Sequence, residues 1–535
     1  MGSADRTASV WRRILRWLRP VIAFVLIGGV FYLGVHSERT GFVRDVIDPG
    51  LKRFALPVLN VFRSAGPKAD RIDLLIGKVA LDSISAIRNR ALEAGVLNEG
   101  KDRLFPALLI FGGDTMQAHL RLKGGLTDHL RTNKWSYRVQ LGEGDTLMGM
   151  TTFSLQHPNT RNFSNEWILH RAVAYVGLPA LQYDFLDVRV NTRSLGLYAL
   201  EQHFDDALML RLAPRGLVGP TMKFDDELRI GTLAEMAQRP FDSEAPMQGE
   251  WLSAPITAFH LSDVLADSTK SARFAFTKGR LTRFRNGLLA TSEVFDADAL
   301  AKLFALCDLL GGQHADDWRN LRFVFDARTG LLVPIAFDAN AGEPITAIRA
   351  LREQPPLRFD STHLTTFYGR LFSDRHFYEA YIAHLDTFST NGWLENFLST
   401  IHEDLLSQEK LIAHEFPNAA HDPTVFEHCR TVIRQTLLPK NIVSISILGQ
   451  EGSMLRLGIA NLHALPVEVV GIGPRDAEPV PCGPILLPPR SRDEPLTEQV
   501  VEIPYRASSD DKLLLHIKLV GMPKAVLVPV KGLVR

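Results

Sequence analysis

The chain has 535 residues, which is enough for about three or four domains, each with its own core. The 60 Lys and Arg residues balance 60 Asp and Glu residues, so the net charge is zero and does not steer the protein to nucleic acid. The three cysteines, Cys307, Cys429 and Cys482, lie far apart without CxxC or zinc-ligand spacing, so we expect no disulfide partner. The HExxH, GxSxG and Walker A patterns are lacking, which argues against the common zinc proteases, serine hydrolases and P-loop enzymes.

An uncharged apolar segment near the N-terminus, Pro20–Val35, follows a cluster of four arginines. A run of this length is just sufficient to cross a bilayer as a helix. The arginines should stay in the cytoplasm, with residues 37–535 outside it. We therefore predict a cytoplasmic stub and transmembrane anchor over 1–40, and a single-pass inner-membrane protein with its bulk on the extracytoplasmic side. A cleaved signal peptide ending near Ser37 is the alternative.

After a predicted juxtamembrane stalk at 41–69, the patterns of residues 70–227 predict a strand-rich lobe. A helix is expected over Asp82–Ala94, where Gly95 would end it, and a second over Asn165–Val176. Short apolar runs predict the strands Ala107–Phe111, Gln117–Leu122, Trp135–Leu141, Phe185–Val190 and Gly196–Leu200.

Residues 228–440 are predicted to form a helical lobe, less regular over 228–290. Its clearest element is an apolar helix over Ala297–Leu310, and several more helices are expected within 360–438. From 441 onward the pattern changes to short apolar or alternating runs divided by Gly and Pro. That pattern predicts a β-sandwich domain over 441–535.

The stretch His314–Asn340 carries the strongest functional signal. Its apolar runs Leu321–Phe325 and Leu331–Phe337 predict a hairpin that brings Asn320 and Asp338 side by side. Two oxygen ligands held there could bind a divalent cation and, through it, the phosphates of a nucleotide. A polar hairpin cap without a ligand is the alternative interpretation.

The motif HADDWRN…PIAFDAN in this hairpin resembles the catalytic hairpin of the CotH-type (spore coat protein H-like) atypical kinase family. Four other segments resemble the same family in the same order, namely 120–141, 150–180, 185–205 and 219–227. The resemblance implies an atypical protein-kinase-like module at 70–440. With the anchor and the C-terminal strands, the expected fold class is α+β, with an N-terminal membrane anchor and a C-terminal β-sandwich.

The resemblance also implies a transferase that uses ATP and Mg²⁺ to phosphorylate a hydroxyl group of a protein or of the cell envelope. In that interpretation Asn320 and Asp338 hold Mg²⁺, Asp316 or Asp317 is the catalytic base, and Lys134 holds phosphates. Further candidates for lining the nucleotide cleft are Lys123, Glu166, Glu201 and Lys223.

The sequence departs from the family pattern at the base. The usual kinase loop places its base five residues before the metal-binding asparagine, and here that position is Ala315. The family's GNSS-type loop reads KGGLT, and Asn340 stands where a second acidic residue sometimes follows the metal-binding aspartate. A catalytically inactive scaffold or binding protein in envelope assembly is therefore the alternative function.

Overall fold

The computed structural model describes residues 68–97, 103–226, 250–352, 359, 366–390, 392–475, 478–490, 495–506 and 512–530. The predicted anchor and nearly all of the predicted stalk lie outside the described residues. Within these ranges no helix combines the length and the apolar character needed to cross a membrane. This finding does not support the expected single-pass location in the inner membrane.

Seven strands form a closed barrel in the order β1-β2-β3-β4-β5-β7-β6. Their bounds are Arg71–Ile76 (β1), Phe105–Phe111 (β2), Asp114–Leu122 (β3), Tyr137–Leu141 (β4), Thr152–Gln156 (β5), Tyr183–Val190 (β6) and Arg193–Gln202 (β7). Neighbouring strands are antiparallel, except that β1 runs parallel to β6 and so closes the barrel. Buried and exposed residues alternate along most of β3, as expected for a strand with one face in a core.

Two helices are inserted between barrel strands. Helix α1, Lys78–Ala94, joins β1 to β2 and ends at Gly95, whose φ of 79° is a left-handed conformation that glycine adopts without a Cβ penalty. Helix α2, Ser164–Tyr175, lies between β5 and β6, and nine of its 12 residues are buried. Because α2 is enclosed on most sides, it carries the polar side chains of Glu166 and His170 into the interior.

A second sheet has the order β11-β10-β8-β9. Its strands are Leu217–Phe224 (β8), Ile256–Ala258 (β9), Arg322–Asp326 (β10) and Leu332–Ile335 (β11). The other helices are Asp206–Leu212 (α3), Leu261–Ala266 (α4), Ser268–Arg285 (α5), Thr291–Val294 (α6), Ala297–Leu309 (α7), Phe367–Phe372 (α8), Arg375–Ser389 (α9), Trp393–Thr400 (α10), His402–Glu415 (α11) and Pro423–Leu437 (α12). The apolar helix α7 is central, since it contacts α2, α9, α12 and β11.

The C-terminal strands form two antiparallel sheets, β12-β13-β16 and β15-β14-β17-β18. Their bounds are Val443–Glu451 (β12), Met454–Asn461 (β13), Val467–Pro474 (β14), Val480–Leu487 (β15), Gln499–Pro504 (β16), Leu513–Leu519 (β17) and Val526–Pro529 (β18). These sheets share one apolar core with the helices before them. Arg375 of α9 forms an ion pair with the buried Glu468 of β14, which adds a polar contact to that interface.

The closed barrel contradicts the expected fold class. The described residues do not form the expected α+β protein with a kinase-like module and an N-terminal anchor. They form a seven-stranded barrel, further sheets and helices, and none of these helices could span a membrane. The sequence patterns did not predict β1, the strand whose pairing with β6 closes the barrel. Alternation within each strand indicates which face is buried, but it does not show whether the two edges of a sheet meet.

Candidate functional site

Lys123 directly follows β3 and is fixed by two neighbours from other barrel strands. Its Nζ lies 2.7 Å from Glu201 Oε2 of β7 and donates to Gln156 Oε1 of β5 at 2.5 Å. Burial lowers the pKa of Lys123 to about 8, although Glu201 favours the charged form. Burial also opposes ionisation of Glu201, but Lys123 and Arg161 outweigh it and bring the pKa of that carboxyl to about 2. The two side chains therefore form a buried ion pair near neutral pH.

A second ion pair lies beside the first. Arg161, in the short turn before α2, places Nη2 3.0 Å from Asp338 Oδ2. Burial disfavours the charge of Arg161, but Asp338 and then Glu201 outweigh burial, so its pKa is raised. Asp338 keeps 19% of its side chain exposed, whereas Arg161 keeps 7%. The carboxylate is thus the member of this pair that solvent reaches more readily.

The two strands β10 and β11 form the predicted hairpin, with Arg322 opposite Ile335. The segments just outside these residues therefore lie at the same end, which carries Asn320 and Asp338. Asn320 Nδ2 donates to the carbonyl oxygen of His314 at 2.9 Å. His314 Nε2 in turn lies 3.7 Å from Asp338 Oδ1. The hairpin prediction is confirmed, while the binding of Mg²⁺ by Asn320 and Asp338 stays a prediction.

Three aromatic rings form a wall next to these groups. The rings of Phe204 and Phe259 stack with centroids 4.6 Å apart, and Phe337 meets Phe204 edge-on at 5.4 Å. Four cationic groups lie within 6.0 Å of the centroid of a ring of this wall, namely Lys123, Arg161, Lys223 and Arg322. Cations held by aromatic faces and partly removed from water form a surface suited to an anionic ligand.

Lys223 belongs to this cationic surface because β8 pairs with β10. The register sets Lys223 opposite Arg322, so two like charges are neighbours on adjacent strands. Lys223 Nζ lies 3.3 Å from Asp225 Oδ2. Burial raises the pKa of the next residue, Asp226, although Arg322 and Arg319 oppose that shift. Acidic side chains thus partly balance the basic ones at this edge of the sheet.

The two predicted bases have different environments. Asp316 is fully buried and forms an ion pair with Arg349. Burial raises the pKa of Asp316 to about 7 even though Arg349 lowers it. Asp317 is 22% exposed, and its Oδ1 lies 2.8 Å from Arg319 Nε. Of the two carboxylates, only Asp317 has the solvent access that a substrate hydroxyl would need.

Lys134, expected to hold phosphates, is engaged elsewhere. Its Nζ donates to the carbonyl oxygen of Leu197 at 2.8 Å and lies 2.8 Å from Glu415 Oε1 of α11. The ammonium also stands 5.1 Å from the centroid of the Tyr198 ring. Lys134 therefore joins the barrel to α11, and Lys123 is the lysine found beside Glu201.

Glu166 lies at the same site, but Glu201, not Glu166, forms the ion pair with Lys123. Its Oε1 accepts a hydrogen bond from the backbone N–H of Ala339 at 3.0 Å, which ties α2 to the end of the hairpin. Burial raises the pKa of Glu166 to about 7, and the nearby Arg161 opposes this shift. Arg161 and Arg322 were not predicted from the sequence. Arg161 lies beside Asp338 and Arg322 beside the ring of Phe337. These positions follow from strand pairing and chain folding, for which the local sequence carries no signal.

No model of a known protein family matches the chain, and no curated protein matches it either. The resemblance to the CotH-type kinases accordingly stays a prediction that rests on the sequence segments quoted above.

Proposed function

We propose that the protein binds a magnesium nucleotide against the aromatic wall and transfers its terminal phosphate to a hydroxyl group of a protein substrate. The observation that carries this proposal is the buried Lys123–Glu201 ion pair next to the Arg161–Asp338 pair. The resemblance of the hairpin to the CotH-type kinases supports it. Phosphoryl transfer needs mainly correct positioning and neutralisation of charge, and these groups can supply both.

Each role follows from the surroundings of the residue. Lys123 is pre-oriented by Glu201 and Gln156, so it can meet a phosphate without losing much side-chain freedom. The donor set of Asp338 and Asn320, one carboxylate and one amide oxygen, fits Mg²⁺, which prefers oxygen ligands. Bound there, the ion would supply positive charge to the phosphates of the nucleotide.

The acceptor end of the site needs a group that can take the proton of the substrate hydroxyl. Asp317 is partly exposed, and it lies in the same loop as Asn320, whose backbone N–H donates to the Asp317 carbonyl at 2.8 Å. Burial opposes ionisation of the Asp317 carboxyl, but the contacts with Arg319 outweigh burial and lower its pKa. Asp317 is therefore ionised at neutral pH and can accept a hydrogen bond from the hydroxyl.

The binding half of the proposal is tested by titrating the protein with ATP, with and without Mg²⁺, in a calorimeter. Lys123→Met should weaken Mg²⁺-dependent binding by at least ~10-fold, since the phosphates lose a pre-oriented cation. Lys134→Met is the matched control, because that lysine is held by Glu415, and it should bind ATP as the wild type does. If the wild-type protein binds no nucleotide, the proposal is wrong.

A second candidate function is nucleotide binding without transfer. It is favoured because each of the two predicted bases forms an ion pair with an arginine. Asp316 is paired with Arg349, and Asp317 with Arg319. Transfer of the labelled terminal phosphate of ATP to the protein itself and to added protein acceptors separates the two functions. Under the transferase proposal, Asp317→Asn abolishes labelling but leaves ATP binding nearly unchanged. Binding without any labelling by the wild type would favour the second candidate.

A further inference from the structure

Two carboxylates and an imidazole meet in the interior between α2 and the barrel. Glu166 and His170 stand one turn apart on α2, and Glu201 comes from β7. One ligand atom from each of the three lies within 4.8 Å of those from the other two. All three side chains are buried, with 0%, 3% and 0% of the residue surface exposed.

Among the residues that the structure describes, each of these three also has a buried polar atom without a hydrogen-bond partner. These atoms are Glu166 Oε2, Glu201 Oε1 and both ring nitrogens of His170, and the nearest carboxylate contact of the ring is Nε2 to Glu166 Oε1 at 3.8 Å, which is too long for a hydrogen bond. The other oxygen of each carboxylate is already engaged, by the N–H of Ala339 for Glu166 and by Lys123 for Glu201. Leaving buried polar atoms unpaired is unfavourable, so this group of atoms calls for a ligand that satisfies several of them together.

The chemistry of the free atoms indicates what that ligand is. Two carboxylate oxygens and an imidazole nitrogen are electron-pair donors, and a metal ion can accept from all three. Neither ring nitrogen of His170 has a hydrogen-bond partner among the described residues, so a neutral imidazole there can offer a lone pair to a metal. An imidazole with carboxylates suits Zn²⁺ and similar transition metals, whereas Mg²⁺ favours sites made of oxygen alone.

Lys123 and Arg161 lie close to this group and would repel a cation. Each of them, however, already has a carboxylate partner, Glu201 for Lys123 and Asp338 for Arg161. A metal bound to the free oxygens would leave both contacts in place. The ligand atoms and the ion pairs can therefore coexist, because the metal would use Oε1 of Glu201 while Lys123 contacts Oε2, and Asp338 is not one of the metal ligands.

We propose that Glu166, His170 and Glu201 bind one divalent transition metal, with Zn²⁺ as the fitting probe. The metal links α2 to β7. It stabilises the position of Lys123 through Glu201 and that of Ala339 through Glu166. It is distinct from the Mg²⁺ expected at Asp338, and it does not depend on the proposed phosphotransfer.

The test uses the full-length protein, stripped with a chelator and then incubated with Zn²⁺. We expect a stoichiometric amount of zinc after desalting, together with a rise in the thermal unfolding temperature. His170→Gln removes the imidazole but keeps a neutral polar side chain, and it should lower the zinc content by at least ~10-fold. His428→Gln is the matched control, because that ring contacts the carbonyl of Ile345 instead. Its zinc content should equal that of the wild type.

Co²⁺ provides a readout that does not depend on the stability of the variants. Bound by the imidazole of His170, it should give a visible absorption spectrum in the wild type, and Zn²⁺ should compete it away. If the wild type binds neither metal and its unfolding temperature does not change, ordered water or a shared proton satisfies these atoms and the proposal is wrong. Full zinc binding by His170→Gln would equally overturn it.

Discussion

At the level of single residues, Asp338 combines an unusual backbone with an accessible charge. Its φ is 57°, in the left-handed region, and its carboxylate lies between Arg161 and His314. Asn tolerates that backbone conformation about as well as Asp does, so Asp338→Asn should fold normally. It removes the negative charge, and Mg²⁺-dependent ATP binding should therefore fall by at least ~10-fold, or about 1.4 kcal/mol. Calorimetric titration measures this, and unchanged affinity would mean that Asp338 does not hold the ion.

Glu166 should make the stability of the metal-free protein depend on pH. Burial raises its folded-state pKa from 4.5 to about 7, so the folded protein holds a proton that the unfolded chain has released. The stability from this group is fully present below pH 4.5 and is lost as pH rises through about 7. Glu166→Gln removes this titratable group. Between pH 4.5 and about 7, the free energy of unfolding of the variant should therefore fall less than that of the wild type. Urea unfolding of the metal-free protein at several pH values measures this difference. If the free energies of unfolding of the variant and the wild type change with pH in parallel, the prediction is wrong.

At the level of elements, the contact between β7 and α11 depends on a glycine. A Cβ on Gly196 would stand 2.3 Å from Glu415 Oε2, the residue that also holds Lys134. Gly196→Ala should thus displace Glu415 and lower the free energy of unfolding. Part of that loss, about 1–2 kcal/mol, comes from the backbone alone, because φ is +78°.

The matched control for this prediction is Gly177→Ala. Gly177 has a φ of +80°, but a Cβ there would meet no atom of the described residues within 4 Å. The two glycines have nearly the same φ, so the difference between the variants in denaturant unfolding mainly reports the clash with Glu415. Equal losses in the two variants would show that α11 adjusts without cost.

Local patterns predicted many of these elements because each pattern reflects burial on one face. The apolar run of α7, the Gly95 stop of α1 and the hairpin around β10 and β11 were all predicted close to their observed bounds. The site was predicted less well. Lys134 and Lys123 both stand near strands, and only the strand order β3-β4-β5-β7 in the barrel determines which lysine meets Glu201. Such long-range partners leave no trace in local spacing.

At the scale of the whole molecule, the two C-terminal sheets and the helices should unfold together. The C-terminal strands and the helical region share one apolar core, and a Cβ on Gly521 would lie 2.7 Å from Ile382 of α9. We therefore expect that core to give one cooperative transition, with the same midpoint by circular dichroism and by tryptophan fluorescence. Arg375→Met leaves the buried Glu468 with a weaker set of partners and should lower that midpoint. A separate early transition of residues 440–535 would show independent domains instead.

The parallel pairing of β1 with β6 also has a consequence for synthesis on the ribosome. The antiparallel partner of β1, β2, begins 29 residues after β1 ends, at Phe105, but β6 begins at Tyr183, more than a hundred residues after β1 ends at Ile76. Until that strand emerges, one edge of the nascent sheet keeps its backbone N–H and C=O groups unpaired. Such an edge can pair with a neighbouring nascent chain, so chaperone capture during this interval would favour correct closure over aggregation.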